Sequence, residues 1–367
     1  MRFLKTCCAL FPALLITTCA AADEESPDLY FLNWSEYIAP DTIKNFEQET
    51  GIKVHYSRMD SNEILEAKLF AGDSGYDIIV PSLHILKKLG DAGLLLPLDK
   101  SQLPNMVHLD PDKMARIAEV DLNNTYGIPY MELSTGIGYS EDKLKKILGE
   151  NFEADSWDLL FKPEIASKIN KACGIAMLDS ASDMICSAMV YLGLNPQDPD
   201  PAAYVPAEKL LKDAVHNVIY MQNSQYSNDL ASGEICLSAG WSGDIQRADQ
   251  NSREAGNGRI RYIIPKEGAL MGYDMLAIPK NSRHPNNAHK FLNYLLRPEV
   301  IADITNHTRY ANPNRDAIPL IDKEITSNDG IYYPPEMLKR MHIVVPDAKI
   351  QKAFTKIWTN VRMNAGE

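Results

Sequence analysis

Short apolar runs alternate with amphipathic stretches along most of this chain, and that order admits few folds. Leu29-Tyr30-Phe31-Leu32-Asn33 reads as a strand, apolar until its polar end. Asp41, after Pro40, is placed to cap a helix running through Phe46 to Gly51. Ile52-Lys53-Val54-His55-Tyr56 alternates as a strand does, and Asn62 to Phe70 has helical spacing. Tyr76-Asp77-Ile78-Ile79-Val80 is a buried strand that stops at Pro81-Ser82, and His84 to Leu89 opens another helix. Strand and helix repeated in this order predict a mainly parallel sheet with helices on both faces.

A second unit follows. Gly136-Ile137-Gly138-Tyr139 is a glycine-flanked strand, a natural place for the chain to cross between lobes. Trp157 to Phe161, Met184 to Leu192, Ala207 to Val215 and Asn228 to Ser232 have helical patterns, with strand-like runs around Cys173 and Cys236 between them. Arg261 to Pro265 and Met275 to Pro279 read as a strand pair with a glycine-rich link. On roughly 150 residues per domain, a chain of 367 residues makes two domains. Two lobes joined by crossing strands make a hinge over a cleft.

The N-terminus carries the pattern of a secretory signal. Arg2 and Lys5 precede an apolar stretch from Cys7 to Ile16, and Ala20-Ala21-Ala22 supplies small residues for cleavage. The apolar stretch is shorter than the ~20 residues a membrane span needs. A second reading makes Cys19 the acylated residue of a lipoprotein. Thr18 is a poor residue before such a cysteine, so cleavage after Ala22 is preferred. Either way the expected compartment is the periplasm. The formal charge of −12 becomes more negative once Arg2 and Lys5 are removed. Such a field steers cations inward and argues against nucleic acid as a partner.

Cys173, Cys186 and Cys236 remain beyond the leader. An odd number in an exported protein suggests one disulfide and one free thiol. Cys186 falls in a helical pattern that belongs to the core, which leaves Cys173–Cys236 as the expected bridge.

Enzyme signatures are absent in any complete form. Gly240-Trp241-Ser242-Gly243 lacks the spacing of a nucleophile elbow, and no general-base histidine can be assigned to it. Gly136-x-Gly138 has no third glycine, no Walker-type loop occurs, and the 8 histidines are dispersed. No catalytic residue, cofactor or metal is expected. What stands out instead is a set of acidic and aromatic clusters, most of them where a strand-like run ends. They are Trp34-Ser35-Glu36-Tyr37, Asp179/Asp183, Trp241-Ser242-Gly243-Asp244, Tyr273-Asp274 and Tyr310. Ring faces attract a cation, and carboxylates accept its N–H bonds, so together they suit an ammonium on an alkyl stem. Each has a plainer reading. Trp34 could be a core aromatic, Asp244 a helix cap, and Asp183 an acid helped by a helix dipole. Asp274 is the sharpest candidate, because a carboxylate inside the apolar run Leu270 to Ile278 has no neighbouring Arg or Lys.

These residues fall within longer matches. Asn33-Trp34-Ser35-Glu36-Tyr37-Ile38-Ala39-Pro40, Tyr76-Asp77-Ile78-Ile79-Val80-Pro81-Ser82, Thr135-Gly136-Ile137-Gly138-Tyr139, Asp155-Ser156-Trp157-Asp158, Gly240-Trp241-Ser242-Gly243-Asp244, Pro265-Lys266-Glu267-Gly268-Ala269 and Phe291-Leu292-Asn293-Tyr294-Leu295-Leu296-Arg297-Pro298 resemble the polyamine-binding periplasmic proteins, most of all their putrescine-binding branch. The resemblance implies an α/β, two-lobe periplasmic-binding-protein fold of type II. Each lobe would be a mixed, mainly parallel sheet flanked by helices, with a ligand cleft at the hinge. Residues 1–22 would be the signal, 23–135 plus 249–305 the N-lobe, and 136–248 plus 306–367 the C-lobe. It implies a monomer that hands a polyamine (putrescine, spermidine or agmatine) to an inner-membrane ABC permease. Carried over by position, Trp34, Tyr37, Trp241 and Tyr310 would box the alkyl chain, and Ser35 and Ser82 would add polar contacts. Asp183, Asp244 and Asp274 would hold the amines, and the pairing of Cys173 with Cys236 fits the same pattern. Two departures widen the expected pocket. Gly272 stands where relatives usually place a large aromatic, and Asp183 where the branch usually has glutamate. Tyr273 or Met271 is expected to refill the space if anything does.

Overall fold

The computed structural model of this protein describes residues 25–365, so the expected signal segment and Cys19 lie outside the described residues. Ten strands form one continuous sheet: β1 (Asp28–Trp34), β2 (Lys53–Met59), β3 (Ile78–Ile79), β4 (Gly127–Ser140), β5 (Ile175–Met177), β6 (Tyr220–Met221), β7 (Leu237–Trp241), β8 (Ile260–Ile263), β9 (Ala269–Ala277) and β10 (Met341–His342). Along its main path the order is β2-β1-β3-β9-β4-β7-β5-β6.

The N-terminal part follows the predicted alternation. β1 pairs in parallel with β2 and β3, and helices Thr42–Thr50 and Asn62–Phe70 connect them. Leu29, Phe31 and Leu32 are fully buried because β1 is a central strand. The first helix ends at Gly51, whose φ of 73° turns its N–H back to the Glu47 carbonyl. Asp41 precedes that helix, but its side chain makes no capping hydrogen bond. The second helix is capped instead, with the Ile64 N–H donating to Ser61 Oγ at 3.3 Å. β5 pairs in parallel with β6 and β7 in the second half.

The two halves are joined by long antiparallel strands. β4 pairs with β9 from Gly127 to Thr135 and with β7 from Thr135 to Tyr139. The expected pairing of residues 261–265 with 275–279 does not form. β8 and β9 instead lie in succession along one edge of β4, which at 14 residues is long enough to seat both.

Two hydrophobic cores result. One gathers β1–β3, Ile128 to Met131 and Met271 to Ile278, together with the helices Pro285–Leu295 and Pro298–Thr308. The other holds Ile137, Trp157, the helix Ala181–Tyr191, β5 and β7. β4 and β9 contribute residues to both cores. The C-terminal division differs from the expectation for 306–367. Tyr310, Ala317, Ile325, Ile331 and Met341 pack in the first core, and the chain returns to the second with Val344 and the helix Ala348–Ala365. Gly136 sits at the crossing, and a Cβ there would lie 2.3 Å from the Ile263 carbonyl oxygen.

Cys173 and Cys236 form a disulfide with Cα atoms 5.6 Å apart. Cys173 ends the helix Pro163–Cys173 and is not in a strand, because the helix runs on until Gly174 breaks it with φ of 82°. Cys186 is the buried free thiol. The bridge closes a separation of 63 residues, and constraining so long a loop in the unfolded chain stabilises the native state by about 2–4 kcal/mol. Urea unfolding of the Cys173→Ser/Cys236→Ser double variant should show a loss of that size with an unchanged native fold by circular dichroism. A midpoint equal to that of the oxidised wild type would show that the bridge contributes nothing.

Candidate functional site

Between the two cores lies a cavity of about 820 Å³. Trp34, Ser35, Tyr37, Ser82, Asp183, Trp241, Asp244, Asp274 and Tyr310 all line it. The sheet explains their convergence. Trp34 and Trp241 end β1 and β7, Ser82 follows β3, and Asp274 lies on β9. Asp183 and Asp244 occupy the first turns of helices Ala181–Tyr191 and Ser242–Glu254, where the helix dipole favours a carboxylate. Asp244 is thus inside its helix rather than capping it.

Asp274 is the most constrained group. It is 5 % exposed, and its partners are hydroxyls: Tyr37 Oη donates to Oδ2 at 2.7 Å and Ser82 Oγ donates to Oδ1 at 2.8 Å. Asn62 Nδ2 donates in turn to Ser82 Oγ at 3.1 Å, which fixes the serine. Burial pushes the Asp274 carboxyl up to about 6, against the opposing pull of the two hydroxyls and with a further push from Asp183. Asp183 is held by Thr135 Oγ1 and by Ser180 Oγ. Burial raises its carboxyl as well, despite those hydroxyls. Asp274 and Asp183 therefore line the cavity with hydroxyl partners and, among the described residues, no cationic one.

Asp244 is arranged differently. Tyr226 Oη donates to its Oδ2 at 2.8 Å, and Arg247 Nη2 lies 3.4 Å from its Oδ1. The buried Tyr226 also accepts from the Trp241 N–H at 3.1 Å, so one phenol positions both residues.

The aromatic groups form the walls. The Trp34 and Trp241 rings meet edge to face across the cavity, 6.3 Å apart with planes at 67°. Trp34 Nε1 donates to the Val80 carbonyl at 2.9 Å, which fixes its ring. Tyr310 packs edge-on against Tyr37 at 4.9 Å. It also lies flat against Gly243, where an added Cβ would come within 2.2 Å of its ring. Glycine is therefore required for the close approach of that wall. Ser35 Oγ donates to Asp60 Oδ1 at 2.7 Å, which leaves it an acceptor toward the cavity.

Gly272 lines the cavity. Gly272 faces open space, with nothing within 4 Å of an added Cβ. Met271 and Tyr273, its neighbours on β9, pack in the first core and also border the cavity. Asp179, read from sequence as part of an acidic cluster, is engaged by Arg362 and by Trp358 Nε1 at 2.8 Å and does not line the cavity. Trp157 is fully buried and donates to the Gly268 carbonyl at 2.9 Å, a packing role.

Arg247 was not among the residues expected at the site, yet it lines the cavity and donates to the Glu36 carbonyl at 3.0 Å. The signal available was its i, i+3 spacing from Asp244, legible only with Asp244 placed inside a helix. Thr135 and Tyr226 were also missed, since a hydroxyl that orients a carboxylate leaves no distinctive local pattern.

The family model for bacterial extracellular solute-binding proteins matches residues 41–331. The chain belongs to that family. As a solute-binding protein it has the two-lobe α/β fold of type II, and its role is binding and not catalysis. It is 44% identical over 353 residues to the putrescine-binding periplasmic protein PotF of Escherichia coli K12, covering 95% of each chain. It is 44% identical over 364 residues to the putrescine-binding periplasmic protein SpuD of Pseudomonas aeruginosa UCBPP-PA14, covering 98% of each. Among solved structures it superposes on the spermidine/putrescine ABC transporter substrate-binding protein PotD of Streptococcus pneumoniae. The TM-score is 0.75 and the identity 25%, over 92% of this chain and 99% of the other.

Proposed function

We propose that this solute-binding protein captures a polyamine in the periplasm and delivers it to an ABC permease. The observation that carries the reading is Asp274, a buried carboxylate that has hydroxyl partners and, among the described residues, no cationic one. An ammonium seated there would restore the ordinary ionisation of the acid and donate a charge-assisted hydrogen bond to its carboxylate. Asp183 would take part in holding the same charge or the next one along the chain. Trp34, Tyr37, Trp241 and Tyr310 would cover the methylene groups, with the ring faces adding cation–π attraction. Asp244 would hold the far end, and Ser35 and Ser82 would contribute polar contacts. The relatives' ligands, putrescine and spermidine, have this chemistry.

The mechanism follows from the crossing strands. The first core, with Trp34 and Asp274, would form one lobe, and the second core, with Asp183, Trp241 and Asp244, the other. Rotation about β4 and β9 would then close the walls over the ligand, and the closed form would dock on the permease. The open floor at Gly272 favours ligands longer or bulkier than a four-carbon diamine. At about 820 Å³ the cavity is in the range that encloses drug-sized molecules.

Thermal-shift and calorimetric titrations with putrescine, cadaverine, agmatine, spermidine and spermine test the reading. At least one should bind one-to-one and raise the melting temperature, since a ligand that binds only the native state stabilises it. The reading fails if none of the five does so while the protein is folded. In the same assay Trp34→Ala should weaken the best ligand by roughly tenfold, the loss of a desolvated cation–π contact and its apolar cover.

A further inference from the structure

Among the described residues, one Lys or Arg side chain lines the cavity, against seven carboxylates. That side chain is Arg247, and it bridges the two halves. Its Nη1 donates to the Glu36 carbonyl from β1's side of the cleft, and its Nη2 approaches Asp244 on its own helix. Glu36 has φ of 54°, the left-handed backbone that few non-glycine residues adopt. Arg247 is mostly buried, with its side chain 16 % exposed. It is held at both terminal nitrogens and is not a free surface charge.

We infer that Arg247 is a specificity-determining residue that sets how much charge the site tolerates at the far end of its ligand. The inference rests on the polyamine reading above. In that reading the two ends of the cleft differ. At one end Asp274 offers a full carboxylate with hydroxyl partners alone. At the other end the Asp244 carboxylate already has a guanidinium beside it. An ammonium arriving at Asp244 meets that guanidinium within the same small volume, and like charges a few Å apart repel more strongly there than in bulk water. A neutral far end avoids the repulsion. A far-end carbonyl gains in addition, because the guanidinium is all donor and has no acceptor of its own. The residue therefore raises the relative affinity for amines charged at one end, such as an acylated diamine, over amines charged at both.

Calorimetry with putrescine and N-acetylputrescine tests this on the full protein. Arg247→Met removes the charge and keeps an unbranched stem, while Arg247→Lys keeps the charge. The ratio of the two dissociation constants should move at least tenfold toward putrescine in Arg247→Met, about 1.4 kcal/mol. In Arg247→Lys it should stay within about threefold of wild type. A ratio unmoved in Arg247→Met overturns the inference even if both affinities fall together, since equal losses would make the residue a simple latch. Thermal melts of both variants establish that they are folded. A wild type that binds neither amine, nor any of the five above, removes the polyamine reading itself. Binding with an unmoved ratio sinks the role of Arg247 alone.

Discussion

Replacing Asp274 with Asn is expected to remove tight amine binding and, in the same molecule, to make the ligand-free protein more stable at pH 7. Both effects come from one carboxylate. Losing one partner of a buried charged hydrogen bond costs about 2–5 kcal/mol of binding, roughly 30-fold at the least. The stability effect has the opposite sign. Asp274 is raised from 3.8 to about 6 in the folded protein, so near pH 5 the native state holds a proton that the unfolded chain has released. Stability of the wild type therefore falls as pH rises from about 4 to about 6, and the deficit persists above that. One pKa unit is about 1.4 kcal/mol, so the deficit is up to about 3 kcal/mol. Asn removes the deficit while its amide still pairs with Tyr37 and Ser82. Urea unfolding without ligand should show the variant ahead of wild type at pH 7 and level with it near pH 4. A variant that keeps wild-type affinity, or that gains no stability at pH 7, would take Asp274 out of its assigned role.

Asp274 could be found from sequence because an acid in an otherwise apolar strand breaks a local rule, and a broken local rule marks a functional site. A related logic points to Trp34, Trp241 and Asp244, which lie at strand ends or just past one in a fold that keeps its ligands there. Arg247 breaks no local rule. A basic residue on an amphipathic helix looks like solvent-facing charge until tertiary packing turns that face toward the cleft. The return of residues 310–341 to the first core was equally hidden, since contacts between distant segments such as Ala269 and Met341 have no local signature. Cys173 was assigned to a strand because Cys173-Gly174-Ile175-Ala176-Met177 is uniformly apolar, and an apolar run does not reveal where a helix stops. Gly174 was the available signal, as glycine commonly ends a helix. β8 and β9 illustrate a further limit. Each strand was legible, but the choice of partner depended on the length of β4.

Affinity for a polyamine should collapse below pH 6, by about tenfold for each pH unit. The ligand amines stay protonated throughout this range, so the change belongs to the protein. With the cleft empty, Asp274 takes up a proton near pH 6. With an ammonium against it, the charged form is favoured and the carboxyl returns toward its ordinary range. Binding at pH 5 must therefore expel that proton, and log K falls by one per pH unit until the pH reaches the value in the complex. Asp183 is raised in the same direction by its own burial, so the slope steepens toward two wherever both acids are protonated in the empty cleft. Calorimetry at pH 7, 6, 5 and 4 in buffers of different ionisation enthalpy reads both the slope and the protons released. Asp274→Asn should lower the slope by one unit, because the proton it loses is the one being counted. A flat profile down to pH 4 would mean that neither acid meets the ligand's charge.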